Sequence, residues 1–222
     1  MSETKAYVEA GSINKELILA EEYKIGTGID VYQYIVTEKY DGVRAIFDGT
    51  KFVNSQGDTI NAPEWFVQAL GRLRGFMLDG VLWAGRGNSH AASRTVSRIT
   101  PDDDEWKKIT YVIFDALNSD DKILKHTVYK SATYETRLSV LHWIDAHWFP
   151  AFSRHTPYFE IAYRKYHCGE HSLLRLLDSI LKKGGEGLML RKKDSMHPRG
   201  RSSDLLKLTK SIIKCENKGD LK

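Results

Sequence analysis

A mixed α and β fold with mostly antiparallel strands is predicted by three features of the chain. Short apolar runs with strand character recur along it, two of them flank an Asp-Gly turn, and three longer segments repeat their apolar residues at helical spacing. Its 222 residues, 41% of them apolar, can bury a sizeable core. No run approaches the roughly 20 apolar residues that span a bilayer, and none near the start resembles a secretory leader, so a soluble, cytoplasmic protein is expected. No linker rich in Pro, Gly or Ser divides the chain. The expected layout is an extension over 1–16, one domain over 17–210 and a short tail over 211–222.

In chain order, "AIFDGTKFV" (45–53) predicts a hairpin, because Asp48-Gly49 tolerates the positive φ of a tight turn between two apolar arms. "NAPEWFVQALGRLRG" (61–75) predicts a helix capped by Asn61, with Pro63 in the first turn and a stripe of Trp65, Phe66, Ala69, Leu70 and Leu73. "GFMLDGVLW" (75–83) and "ITYVIFDAL" (109–117) predict buried strands joined by a polar loop that carries Arg86, Arg94 and Arg98. Helical spacing returns over 133–147 and 171–185; in the second, Leu173, Leu174, Leu177, Ile180 and Leu181 make the buried face, and Gly184 suits a left-handed cap. "EGLMLRKK" (186–193) and "DLLKLTK" (204–210) predict the last strands.

Charge narrows the partners. The net charge is +4, and between Lys182 and Lys210 nine Lys or Arg stand against three Asp or Glu, a local surplus larger than that of the whole chain. Such a surplus favours a polyanion, whose condensed counterions it releases, although a solvated basic face has the same composition. Cys168 and Cys215 lie far apart with no metal-ligand spacing, which excludes a disulfide framework and a structural zinc site and leaves two plain thiols.

Chemistry-bearing residues gather in "TEKYDGVRAIF" (37–47). If 37–41 is extended, Lys39 and Asp41 share a face, and Gly42 lets a ligand come close to the backbone. Alone, a Lys-x-Asp-Gly match is weak, and a solvated strand charge explains it as well. Five stretches in order are more specific: "EKYDGVRA" (38–45), "FMLDGVLWAGRG" (76–87), "YVIFDAL" (111–117), "EGLMLR" (186–191) and "LLKLTK" (205–210), preceded by "LILAEEY" (17–23). In these the chain resembles the nucleotidyltransferase (adenylation) domain of ATP-dependent DNA ligases, most of all the small two-domain bacterial and phage forms.

The resemblance implies an α+β, ATP-grasp-like domain of two antiparallel sheets flanked by helices, with the nucleotide in the groove between them. It also implies ATP and Mg2+ as cofactors and nicked duplex DNA as the substrate, for repair, replication or recombination. Lys39 becomes the nucleophile that forms lysyl-AMP; a protonated lysine cannot attack, so its pocket is expected to favour the neutral amine. Arg44 and Lys207 are expected at the phosphates, Phe114 on the adenine, the backbone at Glu38 on the base edge and Glu186 on the metal. Arg86, Lys192 and Lys193 are expected to touch the DNA.

Three positions depart from the family pattern. Val81 stands where the family has a glutamate, Ser55 where it has a nick-binding arginine, and Thr209 where it has a second lysine, with Lys210 one residue late and so on the opposite strand face. Only twelve residues follow Lys210, too few for the OB-fold that accompanies this domain in the family. Two functions are therefore open: the adenylating part of a ligase, weak alone and served by an OB-fold chain or domain in trans, or an impaired module that binds nucleotide or nicked DNA. An RNA ligase or a GTP-using capping enzyme fits the "LWAGRG" and "EGLMLR" forms less well.

Overall fold

In the computed structural model, which describes residues 17–119, 132–148, 158–166, 168–196 and 200–210, the strand-like runs assemble into two sheets. The elements are β1 (Ile18–Glu22), β2 (Tyr34–Lys39), β3 (Val43–Phe47), β4 (Phe52–Asn54), β5 (Thr59–Ile60), α1 (Glu64–Ala69), β6 (Phe76–Trp83), α2 (Ser89–Val96), α3 (Asp103–Trp106), β7 (Thr110–Ser119), α4 (Tyr134–Trp148), β8 (Phe159–Ile161), β9 (Arg164–Lys165), α5 (Glu170–Lys182), β10 (Gly187–Lys192) and β11 (Gly200–Thr209). The first sheet has the order β1-β11-β10-β2-β9 and the second β5-β4-β3-β6-β7-β8. Pairing is antiparallel except for β1 with β11 and β7 with β8, so each sheet carries one parallel pair that periodicity did not predict. The N-terminal extension, the tail after Lys210 and Cys215 lie outside the described residues. Among the described residues no helix is long and apolar enough to cross a membrane.

Alternation along the strands decides what each sheet presents. Tyr34 and Val36 of β2, Leu188 and Leu190 of β10, and Leu206 and Leu208 of β11 cluster with Leu173, Leu177 and Ile180 of α5. Ile35 of β2 instead joins the larger cluster built on β3, β6, β7 and α4. Lys39, Met189, Arg191, Lys207 and Thr209, which alternate with the α5-facing residues, therefore look away from α5 toward the second sheet.

Several local expectations change. The helix over 61–75 is only α1, followed by a 3-10 turn at Gly71–Leu73, because glycine weakens a helix interior. Pro63, not Asn61, is its N-cap, and the Asn61 amide donates to the Ile99 carbonyl at 3.0 Å. The segment expected as a polar loop contains α2 and α3, with Asp102 capping the latter. Leu174 is 37% exposed rather than buried. Gly184 does take the left-handed conformation after α5, at φ 78°. The basic stretch 182–210 is not one face: Arg191 is buried, and Lys182 pairs with Asp178.

Candidate active site

Lys39 is the last residue of β2, in register with Gly187, the first of β10. That register places Glu186, one residue earlier, against the Lys39 amine, and the two form an ion pair. The other carboxylate oxygen of Glu186 is buried without a hydrogen-bond partner. Asp41 lies beyond the end of β2, so it does not share a strand face with Lys39. Gly42 also has a different reason from the expected one. A Cβ there would lie 2.5 Å from the Leu82 carbonyl oxygen and 2.6 Å from Val81 Cγ1, so the missing side chain admits the neighbouring strand, not a ligand.

Glu38 alternates with Lys39 and accepts two hydrogen bonds from Arg86, at 2.8 Å from Nε and 2.7 Å from Nη2. Hydrogen bonding to Glu38 holds the Arg86 guanidinium above its ordinary pKa. Arg86 thus ties the loop after β6 to β2 instead of standing as a free cation for DNA. Lys192 and Lys193 are at the far end of β10, where Lys192 pairs with Tyr34. The three residues expected to touch DNA do not form one patch.

Arg44 is held more firmly than a phosphate ligand needs to be. Its Nε donates to Asp79 Oδ1 at 3.0 Å, Nη2 to Oδ2 at 2.5 Å, and Nη1 crosses to the Ile18 carbonyl of the first sheet at 2.8 Å. Burial alone would lower its pKa, but the charge and hydrogen bonds of Asp79 outweigh burial and raise it. Phe114 lies beside this pair, with the Arg44 Cζ 5.8 Å from its ring centre. Its placement depends on a β-bulge: Asp79 is opposite Asp115 and Gly80 opposite Ile113, which leaves Phe114 as the extra residue of β7. Val81 sits directly across from Arg44.

Lys207 lies between Glu22 and Met189 in the first sheet, its amine 3.7 Å from the Glu22 carboxylate. Thr209 ends β11 opposite Gly187, and the exposed Lys210 follows the strand, so its offset is set by the strand's end and not by the opposite face. Ser55 occupies the turn between β4 and β5, its hydroxyl 3.2 Å from the Gln56 side-chain oxygen.

Sequence reasoning missed a buried ionic cluster behind Phe114. Arg137 donates from Nε and Nη2 to the two carboxylate oxygens of Asp115 at 2.8 and 2.9 Å, and Arg191 of the first sheet approaches the same carboxylate at 3.7 Å. Both guanidiniums pack on the Tyr134 ring, and burial pushes Arg191 below its usual pKa. A signal was readable: Arg137 falls on the stripe Tyr134, Leu138, Leu141, Ile144, where a charge needs a partner.

Among the described residues no group of three or more His, Cys, Asp or Glu could hold a metal ion. The unpartnered oxygen of Glu186 nevertheless fits Mg2+, which binds through one or two carboxylates together with substrate phosphates.

A family profile for the ATP dependent DNA ligase domain matches residues 18–209. The chain belongs to that family. A DNA ligase of Haemophilus influenzae is 25% identical over 195 residues, covering 88% of this chain but only 63% of the relative, so the chain spans less than two thirds of that ligase. Among solved structures, a Lig E DNA ligase described as binding DNA with a minimal scaffold superposes with a TM-score of 0.70 at 28% identity, over 87% of this chain and 68% of that one. The Chlorella virus DNA ligase-adenylate gives 0.67 at 20% identity over the same shares, and the bacteriophage T7 ligase complexed with ATP gives 0.61 at 18%, over 89% and 69%; at these identities they show the fold alone. The two sheets with flanking helices are thus those of a ligase nucleotidyltransferase domain.

Proposed function

We propose that this ligase-family domain transfers AMP from ATP to Lys39 and then to the 5′-phosphate of nicked duplex DNA, in repair or replication. The observation that carries the reading is the pairing of Lys39 with Glu186, on the sheet face that looks toward Arg44 and Phe114. To attack, the Lys39 amine leaves Glu186 and gives up a proton to water; its nitrogen lone pair bonds to the α-phosphorus as the bond to pyrophosphate breaks and pyrophosphate departs. Magnesium, when bound, supplies charge neutralisation at the phosphates, held by Glu186. Lys207 meets phosphate oxygens, Phe114 offers its ring to the adenine, the Glu38 backbone meets the base edge, and Arg44 presents its remaining N–H groups to the nucleotide. Lys192 is five residues from Gly187, roughly 16 Å along the strand, so it and Lys193 would meet duplex phosphates away from the nucleotide rather than at it.

A second reading, an impaired module that binds nucleotide or nicked DNA, is favoured by one observation. Asp79, the carboxylate that could replace the glutamate absent at Val81, is fully buried and committed to Arg44.

Intact-protein mass after incubation with ATP and Mg2+ separates the two. One added AMP is expected on the parent and none on Lys39→Ala. An adduct that persists in Lys39→Ala would overturn the assignment of Lys39, and ATP binding without any adduct in the parent would establish the second reading.

A further inference from the structure

Arg164 belongs to none of the motif stretches, yet the sheet brings it to them. It lies on β9 directly across from Thr37; Thr37 lies across from Met189, and Met189 across from Lys207. Opposed residues on neighbouring strands project to the same side, so these four form one row on the face that carries Lys39. Thr37 and Lys39 are two residues apart on β2. The Arg164 Cα is therefore offset from that of Lys39 by one strand spacing, about 5 Å, and by about 6.6 Å along the strand. This separation suits the two ends of one mononucleotide.

Two further observations indicate what the guanidinium awaits. Its Nη1 is buried with no hydrogen-bond partner, a cost that an acceptor on a ligand would remove. Its charge is also felt at groups of α4 beside the strand segment that carries Phe114. Burial first, and the Arg164 charge next, hold the His142 imidazole of α4 below its usual pKa. The same charge acts on Tyr134, whose hydroxyl donates to the Phe114 carbonyl at 3.1 Å.

We infer that Arg164 is a nucleotide-binding residue, its guanidinium donating to an acceptor on the edge of the purine base while Lys39 and Lys207 meet the phosphate end. The inference rests on the reading that this domain takes ATP, and it deepens that reading by naming a side chain that holds the base.

Calorimetric titration of the full chain with ATP, AMP and inorganic tripolyphosphate tests it, on the parent and on Arg164→Gln and Arg164→Lys, each checked for an unchanged thermal midpoint. A charge-assisted hydrogen bond to the base predicts that Arg164→Gln weakens ATP and AMP by the same factor, roughly tenfold or more, and leaves tripolyphosphate unaffected. Arg164→Lys is expected to recover only part of the loss, since an ammonium lacks the planar fork. If both variants bind ATP and AMP as tightly as the parent, or weaken tripolyphosphate equally, the inference is overturned. Intact mass on the same samples isolates the other reading. A parent that binds ATP without an adduct fails as an adenylating enzyme while the role of Arg164 at the base stands, and a parent that binds neither nucleotide overturns both.

Discussion

Val81 stands directly across from Arg44, with its Cγ1 against the space that Gly42 leaves open. A glutamate at this position would project its carboxylate along the face occupied by Arg44, where a ribose hydroxyl could donate to it. Val81→Glu is expected to raise the rate of AMP-adduct formation roughly ten- to a hundredfold at equal, saturating ATP and Mg2+, one charge-assisted hydrogen bond being worth about 1.5–3 kcal/mol. Single-turnover mass measurements on both proteins check it; equal rates in a normally folded variant would show that the missing carboxylate does not limit the chemistry. Asp79 cannot supply the role, because moving it would strip the Arg44 guanidinium of its partner. At this scale the sequence made Lys39, Glu186 and Phe114 legible as candidates, since each sits in a short stretch whose order along the chain is distinctive. The partner of Arg44 was not legible: Asp79 is 35 residues away, and strand register rather than spacing brings the two together.

Helix α4 is anchored through a charge. Arg137 is 1% exposed and holds Asp115 with two hydrogen bonds, so Arg137→Met takes from a buried carboxylate its bidentate partner, Arg191 standing farther off at 3.7 Å. A loss of about 3–5 kcal/mol is expected in urea unfolding, partly recovered when Asp115→Asn is added, because the penalty lies in a buried charge that has lost its bidentate partner. A second anchor joins the end of β1 to the start of α5. Glu170 accepts from the Tyr23 hydroxyl at 2.5 Å and from the Gly26 N–H at 2.9 Å, and these bonds, Tyr23 foremost, hold its carboxyl below the usual value. The folded state therefore binds this proton less tightly than the unfolded chain. Its stabilisation is complete above the ordinary glutamate pKa of about 4.3 and is lost as pH falls through the lower folded value. Glu170→Gln is expected to cost about 1 kcal/mol at neutral pH, with the difference from the parent shrinking in acid, as denaturation at stepped pH would show. Helices α4 and α5 were legible because each is long enough for its buried apolar residues to recur over several turns, in α5 on one strongly amphipathic face. Helix α2 was not, since it buries only Ala92, Thr95 and Val96, too thin a stripe to stand out from a polar loop.

Across the whole molecule, the two sheets are joined by polar bridges as well as by apolar packing. Arg44 of the second sheet reaches the Ile18 carbonyl of the first, and Arg191 of the first approaches Asp115 of the second. DNA binding is expected to draw on more than one part of this surface, because the basic segment is split between buried, paired and exposed positions. Alanine at both Lys192 and Lys193 should flatten the salt dependence of binding to nicked duplex by about one unit of log–log slope for each phosphate left without its cation, and an unchanged slope would make them solvated charges. The parallel pairing of β1 with β11, which joins Ile18 to Gly200, also governs the order in which the molecule can form. The central strands of the second sheet, β3, β6 and β7, come from one continuous stretch of chain and can pair early, whereas β2 meets neither neighbour until β9 and β10 exist. Closing such long loops is slow. In pulse-labelled hydrogen exchange during refolding, amides of β3, β6 and β7 should gain protection before those of β2, β10 and β11. A nascent chain would then carry Lys39 on an unpaired strand edge until most of the domain has emerged, so the proposed nucleophile is set in place late in synthesis.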